Sequence, residues 1–151
     1  MKVINKLNGK NILVFIVLIF GLWNLSWFLS TTIKYDKFVE VVPKNEFGVH
    51  FLEKEDGYIY SVKKPGYLSF TGNLAVSNDE KQESLIIWPL ITGGYEYGFS
   101  IQKDGQPYEF YVDENMKPID KDDSVAIEKV EEYKVELEEL LSKAKEMWKL
   151  E

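Results

Sequence analysis

The chain of 151 residues contains no cysteine, no arginine and a single histidine, and no acidic residue occurs before Asp36. Without cysteine there are no disulfides, no thiolate chemistry and no cysteine-based zinc or iron–sulfur site, so the fold must be held by its core alone. Without arginine there is no bidentate guanidinium clamp. The single histidine, His50, has no G-x-S-x-G motif to accompany it, so nothing assigns it to a hydrolytic triad. The missing early acids split the charge. The first 34 residues hold 4 of the 18 lysines and none of the 25 acids, and the remainder is therefore at 14 − 25 = −11. Nucleic acid and anionic lipid are poor partners for so acidic a surface, whereas cationic partners are easier to accept.

Ile12–Leu29, ILVFIVLIFGLWNLSWFL, is an 18-residue apolar run interrupted by Gly21, Asn24 and Ser26. As a helix it reaches roughly 27 Å, about one hydrocarbon core. It is longer than the apolar part of a cleaved signal, and Ser30-x-Thr32 is a poor cleavage site, so residues 12–29 are expected to be a retained transmembrane signal anchor. Lys2, Lys6 and Lys10 precede it, which predicts a cytoplasmic tail over residues 1–11 and a C-terminal domain outside the cell membrane. Trp23, Trp27 and Phe28 gather at the distal end, where aromatic rings suit the membrane interface. Residues 30–36 read as a spacer leading to an extracytoplasmic domain over 37–151, entered through an edge strand with Phe38, Val39, Val41 and Val42 and ended by Pro43.

That domain reads as α+β. Six strand-like segments follow one another at short spacing: Phe47–Glu53, Tyr58–Lys63, Tyr67–Ser77, Ser84–Ile91, Tyr95–Lys103 and Gln106–Asp113. With the entry strand they predict an antiparallel meander of six or seven strands. Asp104-Gly105 predicts a two-residue turn, which sets Ile101 opposite Tyr108, Phe99 opposite Phe110 and Tyr97 opposite Val112, all on one face. Gly98 with Tyr111, Ser100 with Glu109 and Glu96 with Asp113 fall on the other face. Asp56-Gly57 predicts a similar turn, with Phe51 against Val62 and His50 against Lys63. In the third segment Leu68, Phe70, Leu74 and Val76 share a parity, and Gly72 reads as a bulge or bend. Leu85-Ile86-Ile87-Trp88 suggests burial on both faces.

From Asp122 the period changes. Ala126, Val130, Tyr133, Leu137, Leu140, Ala144 and Met147 recur at 4,3 spacing, flanked by Ile127, Leu141 and Trp148. This predicts one helix of about 26 residues, capped by Asp122, Asp123 or Ser124 and packed on the sheet.

Three motifs yield to simpler readings. Asp120, Asp122 and Ser124, with Glu131 at the twelfth position, imitate a calcium loop, but Val125 stands where glycine is needed, so the stretch reads as an acidic helix start. Gly93-Gly94-Tyr95-Glu96-Tyr97-Gly98 imitates a phosphate loop, but a strand follows it. Tyr58, Tyr60, Tyr95, Tyr97 and Tyr108, with Tyr67 and Tyr111, lie on predicted strands; the first five are the candidates for a ligand or partner groove, set against ordinary core tyrosines. The hairpin Tyr97–Asp113, ending Tyr111-Val112-Asp113-Glu114-Asn115, resembles the end of the PepSY-type repeats of some anchored extracellular bacterial proteins. In those repeats a helix precedes the strands, whereas here the long helix follows them, and no function is carried over.

The sequence thus predicts a single-pass membrane protein whose outer domain binds another envelope protein without catalysis, with no catalytic, cofactor-binding or metal residues and no cofactor. The alternative is a small-molecule carrier, with the meander closed into a calycin-like, aromatic-lined barrel.

Overall fold

The first helix runs well past the apolar segment. In the computed structural model, which describes residues 8–103 and 105–150, α1 spans Gly9–Val41, 33 residues without a break. At 1.5 Å per residue it is about 50 Å long. The predicted spacer over 30–36 and the entry strand after it are therefore both helical. The reason lies in a second spacing that runs through the same residues: Thr31, Tyr35, Phe38 and Val42 recur at 4,3,4, one helical face, and all four are buried. The helix ends where Pro43 disfavours α conformation in the residue before it. The apolar part is different. Its most apolar 18-residue window has a mean hydropathy of 2.4 and none of it is buried, so the helix is long and apolar enough to cross a membrane and this part of it lies outside the core of the domain.

Six antiparallel strands follow: β1 (His50–Glu53), β2 (Tyr58–Lys63), β3 (Asn73–Asn78), β4 (Glu83–Pro89), β5 (Tyr95–Lys103) and β6 (Gln106–Val112). They form one meander sheet in the order β1-β2-β3-β4-β5-β6. The sheet is open, with β1 and β6 as its edges, so the barrel expected of a carrier does not form. Two helices complete the fold, α2 (Ser124–Glu132) and α3 (Lys134–Trp148). The architecture is α+β.

The β5–β6 register agrees with the sequence reading: Tyr97 faces Val112, Phe99 faces Phe110 and Ile101 faces Tyr108. Gly105 lies at φ +74°, as the turn requires; Asp104 lies outside the described residues. The β5–β6 ladder ends at Tyr97 and Val112, so Glu96 has no ladder partner on β6; on its other side it faces Trp88 of β4.

The β1–β2 hairpin differs by one residue. His50 faces Val62, Phe51 faces Ser61 and Leu52 faces Tyr60. The loop has three residues, Glu55, Asp56 and Gly57, closed by Lys54 N–H to the Tyr58 carbonyl at 2.9 Å, with Gly57 at φ +79°. A one-residue slip exchanges the faces. Here it sends Leu52 to the core side and leaves Phe51 exposed.

The third predicted strand begins late. Residues 64–72 form a loop, turned by a bond from Ser69 N–H to the Gly66 carbonyl and by Leu68 at φ +57°. Gly72 serves close approach: a Cβ there would lie 2.4 Å from the Lys63 carbonyl oxygen. In β4 the burial alternates. Leu85 and Ile87 are buried while Ile86 and Trp88 are half-buried, so the run is not covered on both sides.

The long C-terminal helix is broken once. Tyr133 leaves helical geometry at φ −104°, ψ +23° and separates α2 from α3. The stripe stays in phase across the break: Val130, Tyr133, Leu137, Leu140, Leu141, Ala144 and Trp148 are all buried. The change of direction lets α2 pack on β6 and α3 on β3, β4 and α1. Asp123 caps α2, accepting from Ala126 N–H at 2.9 Å. Met147 is only partly buried and Ile127 is exposed.

Candidate functional site

All three helices lie on one face of the sheet. Buried side chains of alternate strand positions meet them there, including Tyr60, Val62, Leu74, Val76, Leu85, Ile87, Phe99, Ile101 and Phe110. Among the described residues, no helix covers the opposite face. The contrast defines two surfaces of different kind, and the foot of α1 supplies a third.

The five candidate groove tyrosines stand on the covered face. Tyr58, Tyr60 and Tyr97 are buried, and Tyr95 and Tyr108 are half-buried against the same core. Tyr60 meets Trp148 edge-on at 5.8 Å, Tyr95 lies 6.3 Å from Tyr97, and Tyr108 lies 6.1 Å from Tyr133. The Tyr58 hydroxyl accepts from Lys81 Nζ at 3.0 Å. β3 and β4 separate the β2 pair from the others, so the structure spreads the five across the width of the sheet and does not gather them round one opening.

Ion pairs fasten the α3 side of this face to the strand ends. Lys81 pairs with Glu139 at 2.8 Å, and Lys143 with Asp56 at 2.6 Å. Such exposed pairs contribute little each, about 0–1 kcal/mol. Glu83, between them on β4, is buried and its carboxylate has no hydrogen-bond partner among the described residues; the nearest cation is Lys81 Nζ at 3.8 Å. Burial pushes its pKa up. At the other end of the sheet Asp113 is held below the usual carboxylate range by backbone N–H donors from Lys117 and Asn115.

The uncovered face is built from the other parity: Phe51 on β1, Ile59 and Ser61 on β2, Ala75 and Ser77 on β3, Ser84, Ile86 and Trp88 on β4, Gly98 and Ser100 on β5, and Glu109 and Tyr111 on β6. Small side chains make its centre flat. Trp88 rests on Gly98, where a Cβ would lie 2.8 Å from the indole ring, and packs on Tyr111 at 5.9 Å. A shallow hollow of about 110 Å³ opens between Ile86, Trp88, Ser100, Glu109 and Tyr111. Tyr111 and Phe51 are exposed at 55% and 38%. The sequence contained the signal for this surface: the β5–β6 register already placed Gly98 opposite Tyr111, away from the core. What it lacked was the knowledge that every helix would choose the other side.

At the foot, Trp23 and Trp27 are engaged by the β2–β3 loop. Trp27 Nε1 donates to the Ser69 carbonyl at 2.7 Å and to that of Gly66 at 3.1 Å. Its ring meets Tyr67 edge-on at 5.3 Å, and Trp23 meets Phe70 edge-on at 5.4 Å. The Tyr67 hydroxyl donates to Asn24 Oδ1 at 2.7 Å, while Asn24 Nδ2 donates to the Phe20 carbonyl. Phe28 stays exposed.

The remaining candidates have structural partners. His50 Nδ1 donates to the Val42 carbonyl at 2.7 Å, tying β1 to the end of α1, and it stands opposite Val62 and not Lys63. Asp120 accepts from Asp122 N–H at 3.0 Å while Asp123 caps α2. Gly93 and Gly94 form a positive-φ turn between β4 and β5. Among the described residues no three His, Asp or Glu side chains converge as a metal site would need.

Comparison with protein-family models, with curated proteins and with solved structures returns no match to this chain. The resemblance of Tyr97–Asp113 to PepSY-type repeats therefore carries no argument, and function rests on the surfaces just described.

Proposed function

We propose that the protein is a single-pass membrane-anchored accessory protein whose outer domain binds another envelope protein through the uncovered face of its sheet, without catalysis. The observation that supports this reading is the asymmetry of the sheet. Three helices crowd one face and leave Ile86, Trp88 and Tyr111 on the other, with small side chains around them. Flat surfaces that carry a packed tryptophan–tyrosine pair suit protein partners, where such rings concentrate binding energy. α1 supplies the anchor, by its length and its exposed apolar surface. Lys10 before the run, with Lys2 and Lys6, favours a cytoplasmic N-terminus.

A photo-crosslinking residue placed at Tyr111 tests the reading in the cells that make the protein, with the same residue at Glu138, exposed on α3, as the control. A discrete adduct with one envelope protein from position 111 and none from 138 is expected. Adducts from 138 alone, or from neither position, count against the uncovered face. For orientation, the cysteine-free background allows an Asp79→Cys variant to be labelled with a membrane-impermeant thiol reagent. Labelling in intact cells is expected; labelling only after lysis reverses the topology.

A further inference from the structure

We infer that the outer domain does not stand off from the membrane but is seated on it, with the β2–β3 and β4–β5 loops in the lipid headgroup layer. The inference rests on the proposed spanning role of α1 and follows from where those loops grip it. A hydrocarbon core of about 30 Å takes about 20 helical residues. Lys10 is the last charge before the apolar run, so the span starts near Asn11 and reaches Ser30. Trp23 and Trp27 then lie about 18 and 24 Å along it, within the last two turns. Yet these are the residues that the β2–β3 loop holds, through Ser69, Gly66, Tyr67 and Phe70. A loop bonded to Trp27 cannot rise clear of the bilayer unless the helix is drawn outward by two turns. That would carry Lys10 into the hydrocarbon, which is costly.

The chemistry of the loops agrees with their depth. Between Lys64 and Asp79, and between Trp88 and Glu96, there is no charged residue, and Lys64 at the start of the first loop pairs with Asp36 on α1. Tyr67 and Ile91 are each 67% exposed and Ile33 on α1 is 72% exposed, all at this end of the sheet. The opposite end carries Asp56, Asp79, Glu80 and Lys81 in its turns. Between α1 and the two loops lies an open hollow of about 600 Å³, with Leu29, Ile33, Phe70 and Ile91 on its walls and Lys34 and Lys37 also lining it. This is the arrangement an outer-leaflet lipid fits: chain against the apolar walls, phosphate against a lysine that reaches up to it. The domain as a whole is acidic, and Glu96, Asp113 and Glu114 stand beside the β4–β5 loop, so a zwitterionic bilayer suits it better than an anionic one.

The test uses the full-length chain in phosphatidylcholine vesicles. Single spin labels are attached at Leu18→Cys, Tyr67→Cys, Ile91→Cys and Asp79→Cys, unique sites because the chain has no cysteine of its own. Relaxation by oxygen and by a water-soluble nickel chelate reports depth. The label at 18 is expected in the hydrocarbon, those at 67 and 91 in the headgroup layer, and that at 79 in water. Labels at 67 and 91 as accessible to nickel as the one at 79, with 18 still in lipid, would overturn the seating and leave the anchor intact. A label at 18 exposed to nickel would instead remove the anchor, and the seating with it.

Discussion

The two faces of the sheet share six strands, one backbone and one set of turns, yet they differ in nearly everything else. On the covered face Leu74, Val76, Leu85, Ile87 and Ile101 have no exposed surface at all. One residue further along the same strands, Ala75, Ser77, Ile86 and Ser100 are half-buried. Strand alternation makes such a difference possible, but it does not decide which face is covered. The helices decide. α1, α2 and α3 bring Phe38, Val130, Leu137, Leu140 and Trp148 to one side, and each large side chain buried there contributes about 1.5–3 kcal/mol. The covered face therefore holds the fold, and the uncovered face is the one we propose for a partner.

The largest expected effect comes from breaking the covered face. Leu140 is fully buried under the stripe of α3. Leu140→Asp places an unpaired carboxylate there and should cost more than about 4 kcal/mol, enough to abolish a cooperative thermal melt followed by far-UV circular dichroism. A folded variant that had merely lost self-association would make α3 an assembly helix instead.

A smaller effect is expected on the uncovered face, where Gly98 lets Trp88 lie flat. Gly98→Val should lift the indole away and cost about 1–3 kcal/mol by overpacking, read as a lower urea midpoint. An unchanged midpoint would mean that Trp88 does not rest on Gly98.

Glu83 sharpens the comparison in another way, because it is a carboxylate driven into the covered side. Its folded pKa is raised above the unfolded value by burial, so folding favours the protonated form. The cost of ionisation is absent below the unfolded carboxylate range, grows as pH rises from the unfolded to the folded pKa, and is fully present above the folded one. Glu83→Gln should thus raise the urea midpoint at pH 8 and lose that advantage at pH 4. Equal gains at both values would show that charge is not the reason.

Much of this fold was legible in the residues, and the two Asp-Gly hairpins show where legibility stopped. Tyr97, Phe99 and Ile101 against Tyr108, Phe110 and Val112 form six apolar residues on one parity, so any slip is punished and the register follows. β1 has four residues and its apolar pair, Phe51 and Leu52, is adjacent, so parity cannot choose between them. Tertiary contacts choose: His50 binds the Val42 carbonyl and Leu52 enters the core. The same adjacency misled at Val41-Val42, where β-branched residues suggested a strand while the 4,3,4 spacing of Thr31, Tyr35, Phe38 and Val42 specified a helix. For the candidate site, the aromatic content of the strands was plain, but the five tyrosines share the helix-facing parity. Trp88 and Tyr111 share the other, which only the placement of the helices makes informative.

The division between a face that folds and a face that binds is tested most directly by Tyr111→Ser, at an exposed position. Melting of the full-length chain in detergent micelles and crosslinking from Glu109, its neighbour on the uncovered face, are measured with the same variant. The account predicts a stability loss of no more than about 1.5 kcal/mol, the scale of the ring contact with Trp88, together with loss of the partner adduct. A clear fall in melting temperature with the adduct retained would contradict it.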